Sequence, residues 1–219
     1  MTLGGVGNGT KIENIEIYAT MDDGIECFGG SVNLKNILVY CQGDDGIDLD
    51  QNYSGTIENF MVIQGDGIGT DKGLEVDGPE NTTNKEGLFT FKNGLLKTEG
   101  IEGYPADFKD KAQGTVENVT FDYTKATGKD LNIRANFDPT SCATKTDAYN
   151  NLLNNKLMFN GVKFIGGVAT KVYVNASANS CTLASDAQDL ATAKVIIGSG
   201  ASSTIADFSW TIASKKGEL

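Results

Sequence analysis

The residues best suited to do chemistry are acids that recur once in each copy of a repeated segment. Ile25-Glu26-Cys27, Ile47-Asp48-Leu49 and Leu74-Glu75-Val76 each set a carboxylate between two apolar residues. Alternation with a period of two is the pattern of a half-buried strand, so these acids point outward from one face. Continued through the weaker copies, the column reads Glu26, Asp48, Glu75, Asp107, Asn132 and Tyr173. Glu26, Asp48, Glu75, Asp107 and Tyr173 are the ligand-binding candidates. A neighbouring column carries Phe28, Asp50, Asp77, Lys109, Arg134 and Asn175, and the preceding turns carry Asp22-Asp23, Asp44-Asp45 and Asp71-Lys72.

Two unit charges about 5 Å apart repel by roughly 3 kcal/mol at an effective dielectric near 20. Such a ladder recruits a cation, pairs with bases, or holds protons above the usual carboxylate range. Ca²⁺ suits it best, because six to eight oxygens can be gathered from adjacent repeats and water. Asp48, Asp50, Glu75 and Asp77 are the metal candidates. The competing reading of each Asp-Asp-Gly is turn chemistry, with Asp capping its own backbone and Gly taking positive φ. Lys109 and Arg134 share the second column, where they serve either as salt-bridge partners or, in a lyase, as the proton-abstracting base. The chain has no histidine, which removes Ser-His and Cys-His nucleophilic pairs. The expectation is a site without catalytic residues, with Arg134 and Lys109 as the lyase alternative.

The elements that position these columns follow from the repeat. One asparagine marks each of six copies: Asn14, Asn36, Asn59, Asn93, Asn118 and Asn160. Two positions before it stand Ile12, Leu34, Ile57, Phe91, Val116 and Met158, and after it runs a second apolar column of Ile17, Val39, Val62, Leu96, Phe121 and Phe164. Two short strands meeting at a bend explain this pattern. Asparagine tolerates the left-handed conformation, and stacked amides about 4.8 Å apart can hydrogen-bond in an internal ladder. A second strand follows the glycine turn, with inward pairs Ile25/Cys27, Ile47/Leu49, Leu74/Val76, Leu131/Ile133 and Val172/Val174. The spacing predicts an all-β, right-handed parallel β-helix: a solenoid of about six coils of some 22 residues with an Asn ladder.

A single domain spans 1–219, with an N-terminal edge at 1–9, coils over 10–176 and a C-terminal cap over 177–219. The edge is too short and glycine-rich to cap the stack, which points to absent upstream coils or a docking partner there. Residues 137–155 form a lateral loop with one helical turn around 148–153. The cap is expected to hold a short helix over 184–193, capped by Ser185, and strands over 194–197 and 208–212 that cover the last coil.

The formal net charge of −11 argues against nucleic acid or an anionic membrane as partner. No apolar run is long enough to span a membrane, and no basic and apolar leader follows Met1. Carbohydrate or a surface protein remains the expected partner. Cys27 and Cys41 sit in strand-like runs as small buried hydrophobes, whereas Cys142 and Cys181 lie in polar loops and are either free or paired in an oxidising compartment.

Through these coils the chain resembles the pectin-lyase-like superfamily of parallel β-helices over roughly residues 10–176. Through GNGTKIENIEIYATMDDGIECFGG and GDDGIDLD it also resembles uncharacterised secreted β-helix proteins of Bacteroidetes-type bacteria. The superfamily's hydrolases imply acid-base work by an Asp-Asp turn, but they also carry Gly-His-Gly and Arg-x-Lys motifs. Here the only arginine reads Arg134-Ala135-Asn136. Its lyases imply Ca²⁺ beside an arginine or lysine base. The expected role is an extracellular or cell-surface β-helix that binds carbohydrate or another surface ligand without catalysis, assisted by Ca²⁺. A calcium-dependent polysaccharide lyase and a structural or adhesion module of a surface assembly are the alternatives.

Overall fold

The computed structural model describes residues 1–66, 69–174 and 187–219; Asn175, Cys181 and Ser185 lie outside the described residues. In chain order the first strands are β1 (Thr2–Gly4), β2 (Lys11–Tyr18), β3 (Ile25–Phe28), β4 (Asn33–Tyr40), β5 (Ile47–Asp50), β6 (Thr56–Gln64), β7 (Lys72–Val76) and β8 (Phe89–Thr98). There follow β9 (Tyr104–Phe108), β10 (Gly114–Asp122), β11 (Asp130–Phe137), β12 (Thr144–Lys145), α1 (Ala148–Leu153), β13 (Leu157–Ile165), β14 (Ala169–Val174), α2 (Ala187–Ala193), β15 (Val195–Ile197) and α3 (Ile212–Lys216).

The chain alternates between two sheets. One runs β1-β3-β5-β7-β9-β11 with β14 beside β11, and the other runs β2-β4-β6-β8-β10-β13-β15. Apart from the short β11–β12 pair, every pairing is parallel. This is a parallel β-helix. Its core is the space between the sheets, filled by Ile25, Cys27, Ile47, Leu49, Leu74 and Val76 from the first and by Leu34, Ile57, Phe91 and Val116 from the second.

Asn14, Asn36, Asn59, Asn93 and Asn118 all have φ between 51° and 57°, the left-handed bend expected of them. Asn36 Nδ2 donates to Asn14 Oδ1 at 2.9 Å, Asn59 Nδ2 to Asn36 Oδ1 at 2.5 Å, and Asn93 Nδ2 to Asn59 Oδ1 at 3.3 Å. These amides are exposed or half-buried rather than internal. Asn160 is a correction. Strand register sets it opposite Glu117 and Phe159 opposite Val116, and Gly161, with φ of 67°, makes the bend instead. Glycine enters that region without strain and needs no amide to justify it, so a column drawn on asparagine alone slips by one residue there.

One glycine is required by packing. A Cβ on Gly94 would fall inside the Phe60 ring, and Phe60 packs at a tilt against Phe91 with centroids 5.5 Å apart. Gly94→Ala is expected to lower stability by about 1–3 kcal/mol through overpacking, read as a lower denaturant midpoint; an unchanged midpoint would show that Phe60 has room to turn.

The helical turn at α1 falls where expected, with the Asp147 carboxylate accepting from the Ala148 N–H. The C-terminal segment differs from expectation. β15 pairs with β13, but residues 208–212 form no strand. Phe208, Trp210 and Ile212 alternate as a strand would, yet the Thr204/Asp207 capping box winds a 3₁₀ turn at Ile205–Phe208 and Thr211 caps α3. Phe208 and Ala213 then pack on the outward residues Leu38, Met61 and Ile63 of the second sheet. The segment is thus a strap along a lateral face. The Glu16 carboxylate accepts from the Ile212 and Ala213 N–H groups at 2.7 and 2.8 Å, at the start of α3.

Candidate functional site

The first sheet positions the acids. Glu26 stands opposite Asp48, Asp48 opposite Glu75, and Glu75 opposite Asp107; the next rungs are Asn132 and then Lys171. Tyr173 does not continue this column. It stands opposite Arg134 in the neighbouring one, because the inward pair of β14 is Thr170 and Val172. Thr170 is buried despite its hydroxyl, and an apolar pattern misplaces it by two residues.

The Asp-Asp-Gly turns divide their labour. Asp23 Oδ1 accepts from the Asp45 N–H at 3.0 Å, and Asp45 Oδ1 accepts from the Lys72 N–H at 2.6 Å. The second aspartate of each turn therefore pins the next coil, while Asp22 and Asp44 are exposed. Burial pushes Asp23 up to about 6 against the hydrogen bond from Asp45. Burial and the charge of Glu75 push Asp45 up to about 8.

Asp48, Asp50 and Asp77 bring carboxylate oxygens within 4.8 Å of one another, as do Asp45, Asp48 and Glu75. The four metal candidates thus fall into two overlapping sets that share Asp48, and Asp45 joins Glu75 in the second. Asp48 and Asp77 are 8% and 5% exposed, and one oxygen of each, Oδ1, is buried without a hydrogen-bond partner. Burial, then the charges of Asp50 and Glu75, push Asp48 up to about 8. Burial pushes Asp77 up to about 9, although Lys109 opposes it.

Lys109 Nζ lies 2.9 Å from Glu75 Oε2 and 3.4 Å from Asp77 Oδ2. Burial disfavours its ammonium, but the hydrogen bond to Glu75 and the charge of Asp77 outweigh this and hold its pKa above the ordinary lysine value. Arg134 grips Asp107, which is wholly buried: Nε donates at 2.9 and 3.1 Å and Nη2 at 2.5 Å. That hydrogen bonding raises the arginine pKa further. The guanidinium lies 4.4 Å from the centre of the Tyr173 ring.

Beside this lies a groove of about 460 Å³, lined by Tyr104, Lys129, Asp130, Asn132, Lys171 and Tyr173 among others, within the size range of ligand sites. Tyr104 and Tyr173 are 38% and 44% exposed. Lys129 lies over the Tyr104 ring at 4.2 Å, and Lys171 pairs with Asp130 at 3.3 Å. Glu26 lies away from this groove, toward β1, where it accepts from Thr2 Oγ1. Tyr104, Lys129 and Lys171 were not legible as site residues. The last had a signal in its place opposite Asn132, hidden by the register error.

The family profile described as a pectate-lyase-like beta helix domain matches residues 1–214. The chain belongs to this family. No curated protein and no solved structure matches it. As a pectate-lyase-like β-helix it displays acids, two engaged bases and an aromatic groove along one sheet, and among the described residues no helix is long and apolar enough to cross a membrane.

Proposed function

We propose that this pectate-lyase-like β-helix is a non-catalytic extracellular or cell-surface protein that binds carbohydrate in the groove between Tyr104, Lys129, Asn132 and Tyr173, assisted by Ca²⁺. The observation that carries this reading is the state of its two bases. A proton-abstracting group needs an accessible neutral form near the working pH. Lys109 is tied to Glu75 and Asp77 and Arg134 to Asp107, and both are held more firmly protonated than usual. Tyr104 and Tyr173, partly exposed with a cation over one face of each ring, instead suit a sugar ring, which stacks its C–H face on the free part of an aromatic ring and hydrogen-bonds at its rim.

The unpartnered oxygens of Asp48 and Asp77 fit an oxygen-seeking cation. Asp48, Asp50 and Asp77 would hold it, with Glu75 and Asp45 alongside. Bound there, Ca²⁺ supplies fixed positive charge to an acidic face and open positions for glycan oxygens. An extracellular site is supported by Cys142, which is disulfide-bonded, since disulfides persist in oxidising compartments.

The lyase reading keeps one specific support: Lys109 and Arg134 line one small cavity together, and Lys109 reaches Asp77. Incubation with polygalacturonate, alginate and neutral glycans, with calcium, separates the two. Binding by calorimetry without unsaturated products in ultraviolet absorbance is expected, with Tyr173→Ala weakening it roughly tenfold. Turnover lost in Arg134→Ala or Lys109→Ala would install the lyase instead.

A further inference from the structure

The second sheet ends at β2. One side of this strand pairs with β4, and among the described residues no strand pairs with the other. Its inward residues Ile12, Ile15 and Ile17 are only partly buried, whereas Leu34, Ile37 and Val39 one layer below are fully buried. Asn14 Oδ1 accepts from Asn36, but Asn14 Nδ2 donates to nothing among the described residues. Backbone, core and amide column therefore all stop with one unused side facing the same way.

The charges say what fits there. Strand register aligns Glu13, Lys35, Glu58, Lys92 and Glu117 in one outward column, so the sign alternates over these five rungs before the neutral Asn160 follows Glu117. Lys35 and Glu58 are in contact at 3.3 Å. Cross-strand pairs of opposite sign favour a register and like pairs oppose it. The rung beyond Glu13 calls for a cation. Among the described residues the one ion pair of Glu13 is with Lys11 of its own strand, at 3.1 Å, an exposed pair that contributes little and can swing aside.

We propose that the free edge of β2 docks a parallel strand of the pattern apolar-Lys-Asn-apolar, contributed by a coil of another β-helical segment. Backbone hydrogen bonds along the edge supply the attachment, as in other strand additions. The partner's apolar residues cover Ile12, Ile15 and Ile17, its asparagine takes the donor of Asn14, and its lysine meets Glu13. A second copy of this chain joined by a two-fold axis fits poorly. Full-length antiparallel pairing of β2 with itself puts Glu13 opposite Glu16, and Glu16 already accepts from α3.

The surrogate partner is in the chain itself. A labelled peptide with the β4 sequence, residues 33–40, carries the required Leu-Lys-Asn-Ile and can be flanked by polar tags. Fluorescence anisotropy should show saturable binding. The same peptide carrying Lys35→Glu should bind roughly fivefold more weakly, and the order of the two should invert on protein carrying Glu13→Lys, an exposed change that circular dichroism should find folded. The proposal is overturned if the parent peptide shows no saturable binding, or if both proteins prefer the same peptide. It is also overturned if sedimentation shows a concentration-dependent dimer that Glu13→Lys abolishes, because the edge would then belong to a second copy.

Discussion

Asp107→Ala should be among the most damaging single changes in the molecule, costing about 3–5 kcal/mol, which for a chain of this size lowers Tm by roughly 10 °C. Asp107 is wholly buried and accepts three hydrogen bonds from Arg134, whose side chain remains about one-third exposed. Truncation leaves a half-buried guanidinium beside Glu75 and Tyr173 with its fork empty. Arg134→Ala should be comparably harmful, because it strands a carboxylate inside the sheet surface. The double variant should recover part of the loss, since neither charge is then left alone. Additive losses in thermal melts would mean that the two side chains do not act as a pair. In the proposed reading the same pairing keeps Arg134 from serving as a base, so a stability cycle at Asp107 and Arg134 also bears on the proposal that the protein binds without turnover.

The sheets and their order were readable because two independent columns repeat: a left-handed asparagine, and apolar residues at fixed distances on both sides of it. Where both agree, as at Asn36 with Leu34 and Val39, register is right to the residue. Where one fails, register slips. At β13 a glycine replaces the asparagine, and at β14 Thr170 takes an apolar place, so Asn160 and Tyr173 were misassigned. The acid columns were legible because they ride on the well-patterned strands β3, β5 and β7. The groove was not, because Tyr104, Lys129 and Lys171 come from the least regular stretch of the first sheet and its turns. Their meeting depends on how far each loop carries the chain. The strap was hidden for another reason: Phe208, Trp210 and Ile212 alternate like a strand, and only the caps at Thr204 and Thr211 reveal two short helical turns.

The acidic face should make this protein more stable in mild acid than in mild base. Burial, with neighbouring charge adding to it, pushes Asp45 and Asp48 up to about 8; burial pushes Asp77 up to about 9 despite Lys109, and Asp23 up to about 6. An unfolded aspartate titrates near 3.9. A folded group with a raised pKa keeps a proton that the unfolded chain has released. The stability it contributes is fully present below about pH 4 and is lost as pH rises through the folded value. For these four groups the window runs from about pH 4 to pH 9, with the steepest loss between about 5 and 6, where all four still hold a proton that the unfolded chain has released, and a flattening above about 8. Each group costs at most about 1.4 kcal/mol per pH unit. In chelator, Tm at pH 5 should exceed that at pH 8.5 by roughly 10 °C. Millimolar Ca²⁺ should then restore much of the loss at pH 8.5 and little at pH 5, where the ion must displace protons. Asp48→Asn tests both causes at once. It removes a raised group and a shared ligand together, so the pH dependence should flatten and the calcium response should disappear. A flat Tm across this range in the parent protein would mean that water, rather than protons or a cation, satisfies the Oδ1 atoms of Asp48 and Asp77. A pH dependence without a calcium response would keep the protons and dismiss the ion.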